Sequence, residues 1–114
     1  MAKKISQKFV KKIAKDYIGI LKKDGLNIPQ AFIFGSQANG QAGKYSDIDI
    51  CVVSEDFKNR IQAGAYLNKK LYESDILDKT NANVNFDLIG YPLKDFVDDS
   101  PLVWEIKKHG IRVA

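Results

Sequence analysis

The run Asp47-Ile48-Asp49-Ile50-Cys51-Val52-Val53 constrains the fold more than any other segment, because it sets two carboxylates at one end of an otherwise apolar stretch. In an extended chain, residues two apart share a face. Asp47 and Asp49 therefore project together, while Ile48 and Ile50 point the other way into a core. Two carboxylates that close repel unless positive charge sits between them, so the pair is costly alone and sensible around a cation. A second apolar stretch, Gln30–Phe34, ends in Gly35-Ser36, and ten residues separate Ser36 from Asp47. That connection carries Gly40 and Gly43 as well as Gly35, which suits a phosphate cradle better than a hairpin turn. Gly35 lets the backbone come close to a phosphate, and Ser36 adds a hydroxyl and an amide donor. The Gly-Ser step is expected to open a helical turn whose free N–H groups favour anions.

A third carboxylate is available in Val84-Asn85-Phe86-Asp87-Leu88-Ile89. Alternation puts Val84, Phe86 and Leu88 on one face and Asn85, Asp87 and Ile89 on the other. If this strand lies beside the one bearing Asp47 and Asp49, the three carboxylates converge. Mg²⁺ takes a few carboxylates together with phosphate oxygens and water, so Asp47, Asp49 and Asp87 are the candidate metal ligands and catalytic residues. Gly35 and Ser36 are the candidate nucleotide-binding residues, with Gln37 as a hydrogen-bonding neighbour and Lys44 as a positive charge ahead of the Asp pair. Such a layout is that of a nucleotidyl-transfer centre.

Around this centre the pattern predicts helix, strand, strand, helix, strand, helix and a final strand from Ile111, an α+β arrangement about a small mixed sheet. Ile5, Phe9, Ile13, Tyr17, Ile20 and Leu21 recur at helical spacing, which predicts an amphipathic helix over 6–23. Lys4, Lys8, Lys11, Lys15 and Lys22 fall in one stripe on its other side. The first 23 residues hold eight Lys and one Asp, so the net charge of +4 belongs to that helix. The stripe is read as a solvated face; nucleic acid is a possible partner but not a favoured one, since no aromatic side chains interleave. A second helix is expected over 55–79, with Phe57, Ile61, Tyr66 or Leu67, and Leu71 inward and Gly64 as a weak point. Asn81-Ala82-Asn83 should break it. Ser100-Pro101 reads as an N-cap followed by Pro at the first helical position, Gly110 as the terminator, and a short turn is expected over 93–97. Trp104 is expected in the core and His109 at the surface of the helix end.

The chain of 114 residues is read as one domain, 1–114, whose cleft would be open on one side and closed by a partner or a second copy. No apolar run approaches the roughly 20 residues of a membrane span, so a cytoplasmic location is expected. Cys51, the single cysteine, permits no internal disulfide and reads as core.

Gly35-Ser36, the ten-residue spacing, Asp47-x-Asp49 and the later Asp87 resemble the minimal nucleotidyltransferase family, within the superfamily of DNA polymerase beta-like nucleotidyltransferases. The likeness extends over most of the chain, through the closing helix, Gly110 and final strand. Where many members carry Arg after the motif Ser, Gln37 and Asn39 stand here. The resemblance implies a palm formed by the first three strands, ATP as substrate and one or two Mg²⁺ ions. It further implies transfer of AMP to a hydroxyl, with a tyrosine of a HEPN-type helical toxin as the favoured acceptor and the chain as antitoxin. Two alternatives stay open. One is transfer to a small molecule such as an aminoglycoside, and the other is a non-catalytic antitoxin that only binds its partner.

Overall fold

The computed structural model describes residues 7–35, 47–80 and 85–114. Its framework is a four-stranded mixed sheet of order β3-β2-β1-β4, built from β1 (Gln30–Phe34), β2 (Asp47–Ser54), β3 (Asn85–Pro92) and β4 (Ile111–Arg112). β1 runs antiparallel to β2 and to β4, whereas β2 and β3 run parallel. A parallel pair needs a crossover long enough to return the chain, and α2 (Arg60–Glu73) with the short α3 (Ile76–Lys79) supplies it.

Alternation along β2 divides the protein into two packed layers. Ile48, Ile50 and Val52 are fully buried on one face. There they join Ile33, Leu88 and the buried side of α1 (Gln7–Lys23), namely Val10, Ile13, Ala14, Tyr17, Ile18 and Leu21. The buried stripe of α2 completes the layer through Ala63, Leu67 and Leu71, spaced at i, i+4 and i+8. Tyr17 donates its hydroxyl hydrogen to the carbonyl of Leu67 at 2.7 Å, so the one polar atom that α1 sends into this core is satisfied. At the rim, the Tyr66 hydroxyl and the Lys70 ammonium both donate to the carboxylate of Asp24, at 2.6 and 3.1 Å. These bonds hold the Asp24 carboxyl below the usual carboxylate range, Tyr66 contributing most.

The other face carries Cys51 and Val53 against Phe32, Tyr91 and Phe96, roofed by α4 (Pro101–His109) through Val103 and Ile106. Cys51 is fully buried, as the sequence implies, and that burial pushes its thiol up to about 12. The guanidinium of Arg60 reaches this side and lies 4.4 Å from the centre of the Tyr91 ring.

Most of the element plan matches the sequence reading, and the exceptions have physical causes. The expected helix over 55–79 is shorter and divided. Asn59 has an extended backbone and accepts from the N–H of Gln62, which starts α2 at Arg60 and leaves Phe57 packed ahead of it. The resulting phase turns Ile61 outward, 87% exposed, and puts Ala63 inward in line with the expected Leu67 and Leu71. Ser74 then ends α2 by bonding the Leu71 carbonyl through both its amide and its hydroxyl. Trp104 is 45% exposed rather than buried, because Val103 and Ile106 occupy the two inward positions of α4. Ser100 precedes Pro101 as expected but makes no side-chain capping bond. The expected turn over 93–97 is a single 3₁₀ turn at Leu93–Asp95. The break expected at Asn81-Ala82-Asn83 lies outside the described residues, as do Lys4 and Ile5. Among the described residues no helix is long and apolar enough to cross a membrane.

Candidate active site

The layer roofed by α4 is a core at one end and polar at the other. Cross-strand register explains the change. Phe32 on β1 lies opposite Cys51, which lies beside Ile89 on β3, and this row is buried or half-buried. The next row toward the start of β2 is Phe34, Asp49 and Asp87. Asp49 and Asp87 are thus direct neighbours on parallel strands and share a face, with strands about 4.8 Å apart. Asp87 is exposed and Asp49 half-buried. One step further, Asp47 pairs with Asn85, so the backbone of β2 presents Asp47 and Asp49 two residues apart as alternation requires. The strand pairing on which the anticipated convergence of Asp47, Asp49 and Asp87 depends is present, with Asp49 opposite Asp87.

Gly35 closes the row on the β1 side. Its φ of +72° lies in the left-handed region that favours glycine. A Cβ at this position would run into the carboxylate of Asp49, meeting Oδ2 first and Cγ at 3.3 Å. The sequence reading assigned Gly35 to close approach of a phosphate; the structure adds that its bare Cα also makes room for Asp49. Thus the end of β1, where a phosphate loop would begin, and the carboxylate of β2 are in contact. Ser36, Gln37 and Lys44 lie outside the described residues, and of Asp47 only the backbone is described.

The donor set suits a hard divalent cation. Asp49 and Asp87 offer oxygen ligands from neighbouring strands, and Asp87 makes no ion pair among the described residues. Among those residues, which do not include the Asp47 side chain, no group of three His, Cys, Asp or Glu forms a metal cluster.

Beside Gly35, on the side away from Asp87, an open depression of about 390 Å³ is walled by Phe34, Gly35, Glu105, His109 and Gly110. The sequence reading placed His109 at an ordinary helix end and passed over Glu105. Their i, i+4 spacing on α4 was the available signal; what it lacked was the pairing of Ile111 with Ile33, which brings the end of α4 to Gly35.

Comparison with known proteins gives the following. The family model described as nucleotidyltransferase domain matches residues 10–112. Sequence comparison with curated proteins finds no match. Among solved structures, a protein of Sulfolobus solfataricus assigned as a nucleotidyltransferase superposes with a TM-score of 0.55 at 21% identity, over 93% of this chain and 80% of that one. A variant of the toxin–antitoxin pair MntA–HpeT, in which two aspartates two positions apart are replaced by glutamate, has a TM-score of 0.59 at 20% identity, over 89% and 72%. A toxin–antitoxin structure with AMP-PNP has a TM-score of 0.55 at 22% identity, over 88% and 72%. At these identities the likeness is one of fold.

Proposed function

Because the chain belongs to the nucleotidyltransferase domain family, we propose that it transfers AMP from ATP to a tyrosine hydroxyl of a HEPN-type helical partner and thereby acts as an antitoxin. In this reading residues 1–114 form one nucleotidyltransferase domain. The observation that carries it is the row Phe34, Asp49, Asp87 ending against Gly35, which sets two carboxylates from parallel strands beside the start of the Gly-Ser loop. Support for the antitoxin role comes from the two toxin–antitoxin structures that share the fold, one an aspartate-pair variant and the other holding AMP-PNP.

Asp49 and Asp87, with Asp47, would hold Mg²⁺, which when bound neutralises triphosphate charge and acidifies an acceptor hydroxyl. The remaining work falls to the chain itself. The amides of Gly35 and Ser36, the Ser36 hydroxyl, the Gln37 amide and the Lys44 ammonium bind the triphosphate oxygens. Asp87, on the strand farthest from Gly35, faces the acceptor and takes the hydroxyl proton. The acceptor oxygen bonds to the α-phosphorus, the bond from that phosphorus to the bridging oxygen breaks, and pyrophosphate leaves. The open side of the cleft is where the partner enters.

Incubation of the chain with labelled ATP, Mg²⁺ and a HEPN-type partner tests the proposal: label should appear on the partner's tyrosine, and Asp47→Ala with Asp49→Ala should abolish it. No label on any partner in the presence of wild-type chain would sink the assignment of a protein tyrosine as acceptor. Gln37 and Asn39, standing where family members often carry Arg, favour a second reading in which the chain neutralises its partner by binding alone. Under that reading the double variant still protects cells from the toxin.

A further inference from the structure

The depression beside Gly35 is built by the seating of α4 on the sheet. A Cβ on Gly110 would collide with the Ile106 carbonyl and come within 3.1 Å of the Ile33 carbonyl, so only a glycine lets the helix end rest on the β1 backbone. The Gly110 amide donates to the Ile106 carbonyl at 2.8 Å, and the next residue, Ile111, pairs with Ile33. This fixes Glu105 and His109, both exposed and one helical turn apart, as a wall facing Phe34 and Gly35. Trp104 packs edge-on to the His109 imidazole, ring centres 6.3 Å apart at 80°.

On the basis of the nucleotidyl-transfer reading above, we propose that this depression receives the nucleoside of the donor nucleotide, with Glu105 accepting a hydrogen bond from the exocyclic amine of the base and Phe34 and His109 flanking its plane. Position is the first argument. Across the sheet the order is Gly35 at the end of β1, Asp49 on β2 and Asp87 on β3, and the depression lies beyond Gly35, opposite the acceptor side. A group attached to a phosphate chain at Gly35 on that side would enter the depression that Glu105 walls.

Chemistry is the second argument. The carboxylate of Glu105 and the carbonyl end of α4 both repel phosphate and both accept from N–H groups. The lysines of the last turn are engaged elsewhere: Lys107 bonds Asp98 at 2.7 Å, and the Lys108 ammonium lies 4.5 Å from the centre of the Trp104 ring. Phe34 and His109 line it with aromatic rings, the side-chain type against which a base stacks. The volume falls in the range of about 300–1,000 Å³ typical of small-molecule sites.

Calorimetric titration of the full chain with the Mg²⁺ complexes of ATP, inosine triphosphate and inorganic tripolyphosphate tests this, because inosine carries a carbonyl where adenine carries the amine. Wild type should bind ATP about 10-fold more tightly than inosine triphosphate, the scale of one hydrogen bond to a charged group. Glu105→Ala should bring that ratio close to one while leaving tripolyphosphate uptake unchanged, which also reports that the variant is folded. Glu105→Gln, whose amide can donate to the inosine carbonyl, should tighten binding of inosine triphosphate. An ATP preference that Glu105→Ala leaves intact, or no preference in the wild type, overturns the nucleoside subsite alone. Failure of the wild type to bind any of the three overturns the nucleotidyl-transfer reading, and the subsite with it.

Discussion

The two faces of the sheet are made by the same strands and do different work. Toward α1 and α2, β2 contributes Ile48, Ile50 and Val52, all fully buried, and apolar contact runs the length of the strand. Toward α4, the same strand contributes Val53 and Cys51 to a core and then the half-buried Asp49 beside the exposed Asp87. Neighbouring residues along one backbone thus differ in what they stabilise. Each isoleucine holds the strand in place from behind, and so fixes where the adjacent carboxylate stands. A register slip of one residue would exchange the faces, burying carboxylates and exposing isoleucines, so the core enforces the site's geometry.

Substitutions at adjacent positions break this comparison most directly. Asp49→Ala should lower nucleotidyl transfer by at least about 10²-fold, since metal-assisted charge stabilisation is worth several kcal/mol, with little change in thermal stability. Its neighbour Ile50→Ala should do the reverse. Deleting that fully buried side chain should cost about 2–5 kcal/mol in denaturant unfolding, while the folded fraction keeps its turnover. If Ile50→Ala, measured well below its melting midpoint, loses transfer as completely as Asp49→Ala does, the division of labour between the faces is wrong.

Gly35→Ala sharpens the comparison, because this position belongs to both sides of the argument. The left-handed backbone costs a non-glycine residue about 1–2 kcal/mol, and the new Cβ must displace the Asp49 carboxylate. Stability and transfer should therefore fall together, the first modestly in urea titration and the second more than the stability change accounts for. Loss of stability alone would mean that the contact with Asp49 has no part in the chemistry.

What the sequence made legible follows from the range of the forces involved. Period-two alternation is local, so the spans of β1 and β2 and the inward isoleucines could be read directly. The partnership of Asp49 with Asp87 also emerged, because an Asp in an apolar strand needs an outlet and strand pairing gave it one. The start of α2 was missed because a single side-chain bond from Asn59 outweighed the weak periodicity of the preceding residues, and the phase error turned Ile61 from inward to outward. Trp104 was misplaced because bulk alone does not choose a helix face; Val103 and Ile106 had already done so. Glu105 and His109 were illegible as site walls, since their approach to Gly35 depends on β4 pairing with β1, a contact between residues far apart in the chain.

The smallest expected effect concerns a carboxylate on the opposite layer. Asp24 accepts from Tyr66 and Lys70, latching the end of α1 to α2, whereas Asp87 forms no ion pair among the described residues. One acid is satisfied by its neighbours, and the other, among the described residues, stands exposed without an ion pair. The Asp24 carboxyl is held below its ordinary range in the folded chain, so the unfolded state binds a proton more readily there. Its contribution is accordingly complete above the unfolded carboxylate pKa near 4 and is lost as pH falls through the lower folded value. Because the latch is exposed and screened by solvent, Asp24→Asn should lower the melting midpoint at pH 7 by less than Gly35→Ala does. The difference from wild type should shrink on acidification below pH 4. A deficit that persists unchanged at low pH would show that Asp24 acts through packing rather than charge, and would remove the contrast between an acid whose charge latches two helices and one that forms no ion pair among the described residues.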